Sequence, residues 1–159
     1  MHCPNNKILC LVASDSFPKM TSHMLYLSHL DSKNVFTSNT PKDFTVEFTK
    51  SIELKENATV ELMEFRCYAS TKSKLTFYVM SDICDYSIAN NMRLPILRCI
   101  AMGGKQRVEQ SFSKPYKILI RDRRLTRCRI YLRDENLKDP SLHITEAQVT
   151  LRINNVCNQ

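Results

Sequence analysis

Six arginines within thirteen residues, Arg121, Arg123, Arg124, Arg127, Arg129 and Arg133, are the densest chemical signal in this sequence. A guanidinium fork binds phosphate or carboxylate through paired hydrogen bonds, so the stretch predicts nucleic acid or an acidic protein surface as a partner. The charge is local. Residues 105–133 hold ten Lys or Arg against Glu109 and Asp122, a net of +8; the whole chain of 159 residues carries +7, so the remainder sums to −1. Side chains two apart on a strand share a face, which predicts Arg127, Arg129 and Arg133 on one outward face with Tyr131 among them. The plainer reading is a solvated strand face whose local ion pairs contribute about 0–1 kcal/mol each. Arg121 to Arg129 also has the composition of a basic nuclear-targeting patch, a pattern with many chance matches.

Other reactive residue types are spaced wrongly for concerted chemistry. No two of the seven cysteines, at positions 3, 10, 67, 84, 99, 128 and 157, are separated by the two to four residues that zinc ribbons and redox dithiols use. Free, mostly buried thiols in a reducing compartment are expected instead. His23 and His29 miss the i, i+4 spacing of a helical metal pair, so neither a metal nor a cofactor is expected. His143 and Glu146 could be imagined beside a serine, but no nucleophile elbow frames them, and Glu47, Glu61 and Glu64 read as strand-face carboxylates. No catalytic residue is expected. The two glycines are adjacent, Gly103 and Gly104, which excludes phosphate-cradling loops built from spaced glycines. Asn57-Ala58-Thr59 has the form of a glycosylation sequon, but no secretory signal is expected to accompany it, because Asp15 closes the short apolar run after Lys7.

Strands must carry these side chains. Phe44, Val46 and Phe48 alternate with Thr45, Glu47 and Thr49, the period of a half-buried strand. Met24 to Leu30 is a shorter alternation ending in a turn-type cluster, Asp31-Ser32-Lys33-Asn34. In Ala58 to Tyr68 Val60 and Leu62 share one parity and Met63, Phe65 and Cys67 the other, which predicts either a bulge near Leu62 or a strand covered on both faces. Leu75 to Met80 is β-rich. So is Leu94 to Ala101, and Pro95 puts its start at an edge or a first residue because proline cannot donate to a ladder. The Gly103-Gly104 pair between Ile100 and Val108 predicts a hairpin. Tyr116, Ile118 and Ile120 predict a further strand, as do Cys128, Ile130 and Leu132. Asp139-Pro140-Ser141 predicts a turn, and Ala147, Val149, Leu151 and Ile153 the last strand.

About eight antiparallel strands, with no amphipathic helix longer than two turns, predict an all-β sandwich. With 43% hydrophobic and 25% charged residues the composition is that of an ordinary globular domain, and the length suits one core. Residues 20–156 are expected to form that core, with residues 1–19 as an extension outside it. The longest apolar run, Ile8 to Ala13, is far short of the roughly 18–20 residues needed to cross a bilayer, and no membrane contact is expected.

Several phrases, in order, resemble the short minor capsid, or penton-type, proteins of Polinton-like and adintovirus-like double-stranded DNA viruses. The opening MLYLSHLDSK is followed by SNTPKDFTVEF with Asn39, Thr40, Pro41, Asp43 and Phe44, then by VELMEF with Glu64 near its end. Leu94-Pro95-Ile96-Leu97-Arg98 is similar to that family's Pro-Leu-Leu-Arg segment, Lys114-Pro115-Tyr116 introduces KILIRD, and VTLRI closes the series at Val149 to Ile153. The likeness spans roughly residues 24–153. It departs where Ala58 and Thr59 replace the family's Trp-Glu, and where Arg123-Arg124 replaces a common glycine. The resemblance implies a single jelly roll that assembles as a homopentamer at the vertices of an icosahedral capsid. Implied partners are other copies of the chain, a major capsid protein and the packaged DNA; the implied location is the virion, with synthesis inside the cell and assembly in the host nucleus. The rival readings are a nucleic-acid-binding β-barrel that uses residues 105–133, and a secreted sandwich, which would require disulfides.

Overall fold

A computed structural model describes residues 20–72, 74–89 and 91–156; the expected extension over residues 1–19 lies outside the described residues. Two antiparallel sheets are formed by β1 (Met20–Ser28), β2 (Asp43–Glu53), β3 (Thr59–Ser70), β4 (Leu75–Ser81), β7 (Ile96–Met102), β8 (Lys105–Ser111), β10 (Arg124–Asp134) and β11 (His143–Val156). Short elements join them: helix α1 (His29–Ser32), strands β5 (Ser87–Ala89) and β6 (Met92–Leu94), and β9 (Ile118–Leu119). One sheet runs β1-β11-β3-β8, with β9 also on β3, and the other β2-β10-β4-β7.

The pairing is nested. β1 lies on β11, β2 on β10, β3 on β8, β4 on β7 and β5 on β6, so the chain is one long hairpin rolled into two layers, with β5–β6 at its tip. Pairs β3–β11 and β4–β10 complete the sheets. This is the single jelly roll, two Greek keys in two sheets. It is not a closed barrel.

Alternation decides which side chains fill the interior. Phe44, Phe65 and Phe77 are buried between the layers together with Leu62, Leu125, Ile130 and Leu151, each contributing about 1.5–3 kcal/mol by leaving water. Phe65 and Phe77, from opposite sheets, meet at 6.0 Å between ring centres. The expected bulge is present: Leu62 faces Leu151 and Glu64 faces Thr150, so Met63 is the extra residue and inward parity passes from Val60 and Leu62 to Phe65 and Cys67. Pro95 is the residue before edge strand β7, and its carbonyl accepts from the Ser81 N–H at 3.1 Å.

Two expectations fail. Gly103-Gly104 does not turn a hairpin, because β7 pairs with β4 and β8 with β3; the glycines cross from one sheet to the other. Gly104 has φ +75°, a left-handed conformation that glycine adopts at little cost. Its carbonyl accepts from Thr71 N–H at 3.2 Å, which ties this crossover to the β3–β4 crossover beside it. The alternation from Tyr116 to Arg121 yields only the two-residue β9 and a bridge between Cys84 and Ile120, since β3 already carries β8 and β11 along most of its length.

Candidate interaction surface

The arginine stretch lies on and just before β10, in the middle of one sheet. Leu125, Cys128, Ile130 and Leu132 point into the core, and Arg127, Arg129, Tyr131 and Arg133 point outward. Neighbouring strands supply counter-charges from distant parts of the chain. Arg129 donates Nε and a terminal nitrogen to the two Asp43 oxygens at 2.7 and 2.6 Å, and the Asp82 carboxylate accepts from the Arg129 backbone N–H at 2.8 Å. Arg133 reaches Asp139 at 3.3 Å and Asp43 at 3.6 Å. Both guanidiniums lie about 5 Å from the Tyr131 ring centre, at 5.1 and 5.2 Å, within cation–π range. Burial pushes the Tyr131 hydroxyl pKa up, against the pull of the two arginines.

The rest of the stretch is similarly engaged. Arg123 pairs with Glu56 at 3.1 Å and Arg124 with Glu53 at 3.2 Å. Arg121 donates to the Tyr86 hydroxyl at 2.7 Å and to the Asp82 carbonyl, with its guanidinium over the Tyr86 ring. Among the described residues Arg127 is the one of the six whose side chain makes no hydrogen bond or ion pair; it borders a hollow shared with Thr40, Asp43, Thr45 and Asp82. Asp43, Asp82 and Asp139 are counter-charges that sequence reasoning did not assign to the arginines. The separation of 86 residues between Asp43 and Arg129 leaves no local signal to find them by.

The phrases that carried the family resemblance meet in space as pairs. Asn39 is buried, donates to Ser32 Oγ at 2.8 Å and to the Thr45 carbonyl at 2.9 Å, and accepts the Thr45 N–H at 2.9 Å. Thr40 and Asp43 exchange backbone hydrogen bonds at 2.9 and 3.1 Å around Pro41, the turn that launches β2. Phe44 then packs edge-on against His29 of α1, 6.3 Å between ring centres, while His29 Nδ1 accepts the Ala147 N–H at 3.1 Å. On the other side Arg98 lies 4.5 Å from the Phe112 ring centre and 4.1 Å from that of Tyr116. The Lys114 carbonyl accepts from Arg98 at 3.5 Å, so Pro115 sits in the segment that holds the clamp. Glu64 pairs with Arg66 at 3.1 Å and accepts from Thr150 at 3.4 Å. Each of these contacts links neighbouring segments of the sandwich.

The outer face of the β1-β11-β3-β8 sheet is polar and largely self-paired. Arg66 lies between Glu64 and Glu109, at 3.1 and 3.2 Å. Glu61, 1% exposed although it points away from the core, accepts from Arg152 at 2.6 Å and Asn154 at 2.8 Å. Burial alone would raise the Glu61 pKa, but these two hydrogen bonds and the Arg152 charge outweigh it and hold the carboxyl below its ordinary value. A groove of about 410 Å³ runs along this face past Tyr26, Asp31, Gln148 and Thr150.

The described cysteines, Cys67, Cys84, Cys99 and Cys128, are free thiols, and all but Cys99 are buried; Cys3, Cys10 and Cys157 lie outside the described residues. Burial pushes Cys67 and Cys128 up to about 12, so neither is a thiolate at neutral pH. Among the described residues no group of three or more His, Cys, Asp or Glu side chains could hold a metal ion, and no helix is long and apolar enough to cross a membrane.

No family model matches the sequence, and no curated protein matches it. Among solved structures the chain is similar to a mutant VP2 protein of infectious bursal disease virus in derived T=1 particles. The identity is 10% and the TM-score 0.31, over 89% of this chain and 32% of that one. It is also similar to the VP2 subviral particle of the same virus, at 8% identity and TM-score 0.24, over 85% of this chain and 33% of that one. The chain therefore spans about a third of the length of these structures. The strand order above stands on its own hydrogen-bond ladders.

Proposed function

We propose that this chain is a non-enzymatic structural subunit of a viral capsid, a vertex-type or penton-type minor capsid protein that closes into a homopentamer in an icosahedral shell. The observation that carries this reading is the nested strand order, a complete single jelly roll in which the family-like phrases pair with one another across the sheets. The arginine-bearing face of β10 docks against acidic surfaces of a neighbouring subunit or a major capsid protein. Its internal neutralisation argues against duplex binding through all six arginines, because phosphate contacts need cations that are not already committed to carboxylates, and it leaves Arg127, without an ion pair among the described residues, as the cation open to an acidic group of a partner protein. Synthesis takes place inside the cell, and the virion is the final location.

Assembly is the direct test. Light scattering on the full chain at tens of micromolar should show a discrete ring-sized oligomer, and co-expression with a major capsid protein should yield a complex. A strict monomer that ignores the capsid protein overturns the proposal. A salt series on duplex DNA separates the rival reading. Six free arginines would give a log–log slope of about −5, whereas the ion-paired face should give a shallow slope or no binding.

A further inference from the structure

Among the described residues the tip of the rolled hairpin, β5–β6, forms a ladder with neither large sheet, and a two-stranded ribbon by itself is marginally stable in water. Among the described residues it also carries apolar side chains left largely uncovered: Ile88 is 79% exposed and Met92 is exposed beside it, while the exposed Tyr86 ring already lies against the Arg121 guanidinium. Arg93 stands directly across the ribbon from Ile88 and makes no ion pair among the described residues. The tip is thus an apolar ridge with unmatched positive charge, the kind of patch that marks a contact site.

The opposite end of the sandwich offers its counterpart. β1 leads into α1 at that end, whereas β4 leads into β5 at the other, one strand length away. The groove along β1, α1 and β11 is concave, and Tyr26 on its wall is 77% exposed. Asp31 lines the groove without an ion pair among the described residues, and the positive charge of Arg66 in its floor is already met by Glu64 and Glu109. A ridge that is apolar and basic is thus complementary to a groove that is aromatic and acidic.

We propose that the β5–β6 ribbon of one copy of this chain seats in the groove between Tyr26 and Asp31 of the next, with Ile88 against Tyr26 and Arg93 against Asp31. The two patches differ and lie at opposite ends of the molecule, so the contact is head-to-tail, the geometry that closes rings when the rotation between copies permits. The inference rests on the assembly reading above and names its interface.

The experiment is mass photometry and sedimentation of the full chain alongside Ile88→Asp, Arg93→Glu and the double variant Arg93→Glu/Asp31→Arg. Ile88→Asp should shift the chain to monomer with its far-UV spectrum unchanged and its melting still cooperative, at a temperature lowered only by the lost association. Arg93→Glu should weaken association by about tenfold or more, and the double variant should restore it. If the unmodified chain assembles and both single variants assemble equally well, the contact is overturned while the assembly reading stands. If the single variants dissociate but the double variant stays dissociated, the Arg93–Asp31 pairing is overturned. A parent chain that is monomeric throughout removes the assembly reading and this contact together.

Discussion

Along the β1/β2 side of the sandwich the gap between the sheets is closed by His29 and Asn39 through buried hydrogen bonds, whereas along the β7/β8 side it is closed by Arg98 lying half-exposed against Phe112 and Tyr116. The first closure is directional: His29 accepts from a backbone N–H of one sheet while its ring packs on Phe44 of the other. The second is tolerant, because a planar cation over an aromatic face survives small displacements that would break a hydrogen bond. The difference teaches where register is set. The β1/β2 side fixes how the first strands enter the fold, and the β7/β8 side holds a crossover already constrained by its turn.

Substitutions can break or sharpen this contrast. The largest loss is expected from Phe44→Ala, about 3–5 kcal/mol for removing a buried ring, read by urea unfolding. Asn39→Leu should follow at about 1–3 kcal/mol, since it strands the Thr45 N–H without a partner. The pH profile tests the same side. Burial holds the His29 pKa below its ordinary 6.5, and accepting from Ala147 requires neutral Nδ1. As pH falls below 6.5 the unfolded chain takes up the proton first, so stability is full above 6.5 and declines until the folded-state pKa is passed. Chemical denaturation at pH 7 and pH 5 should show this decline, and His29→Gln should remove its contribution.

The β7/β8 side should prove softer. Arg98→Ala is expected to lose about 1 kcal/mol, with Arg98→Lys recovering part of it; a loss equal to that of Asn39→Leu would erase the contrast between the sides. Smallest of all, Arg127→Ala should leave stability within about 0.5 kcal/mol, while its ion-paired neighbour Arg129 should cost measurably more because its loss strips Asp43 of a bidentate partner.

Period-two alternation made β2, β10 and β11 legible but misled over Tyr116 to Arg121, where only β9 and a bridge form; the parity change after Leu62 located the Met63 bulge, because parity is a property of a few consecutive residues. Strand partners were not legible. A glycine pair after Ile100 reads the same whether the chain folds back on itself or passes to the other layer; the choice is made by β3 and β4, some thirty residues upstream. The β5–β6 ribbon went unread for a related reason: its strands are three residues each, too short to show a period. At the candidate surface the arginines and their shared outward direction were visible in the sequence. Their neutralisation by Asp43, Asp82 and Asp139 was not, since those carboxylates arrive from other strands.

The nested pairing has a consequence for the chain during translation. Among the described residues β1 has no ladder partner other than β11, so this edge strand waits without its ladder until nearly the whole domain has been made. Contacts of such long sequence separation are slow to form, and an unpaired strand edge invites aggregation meanwhile. Chaperone occupancy on the nascent polypeptide should therefore persist until His143–Val156 has cleared the exit tunnel.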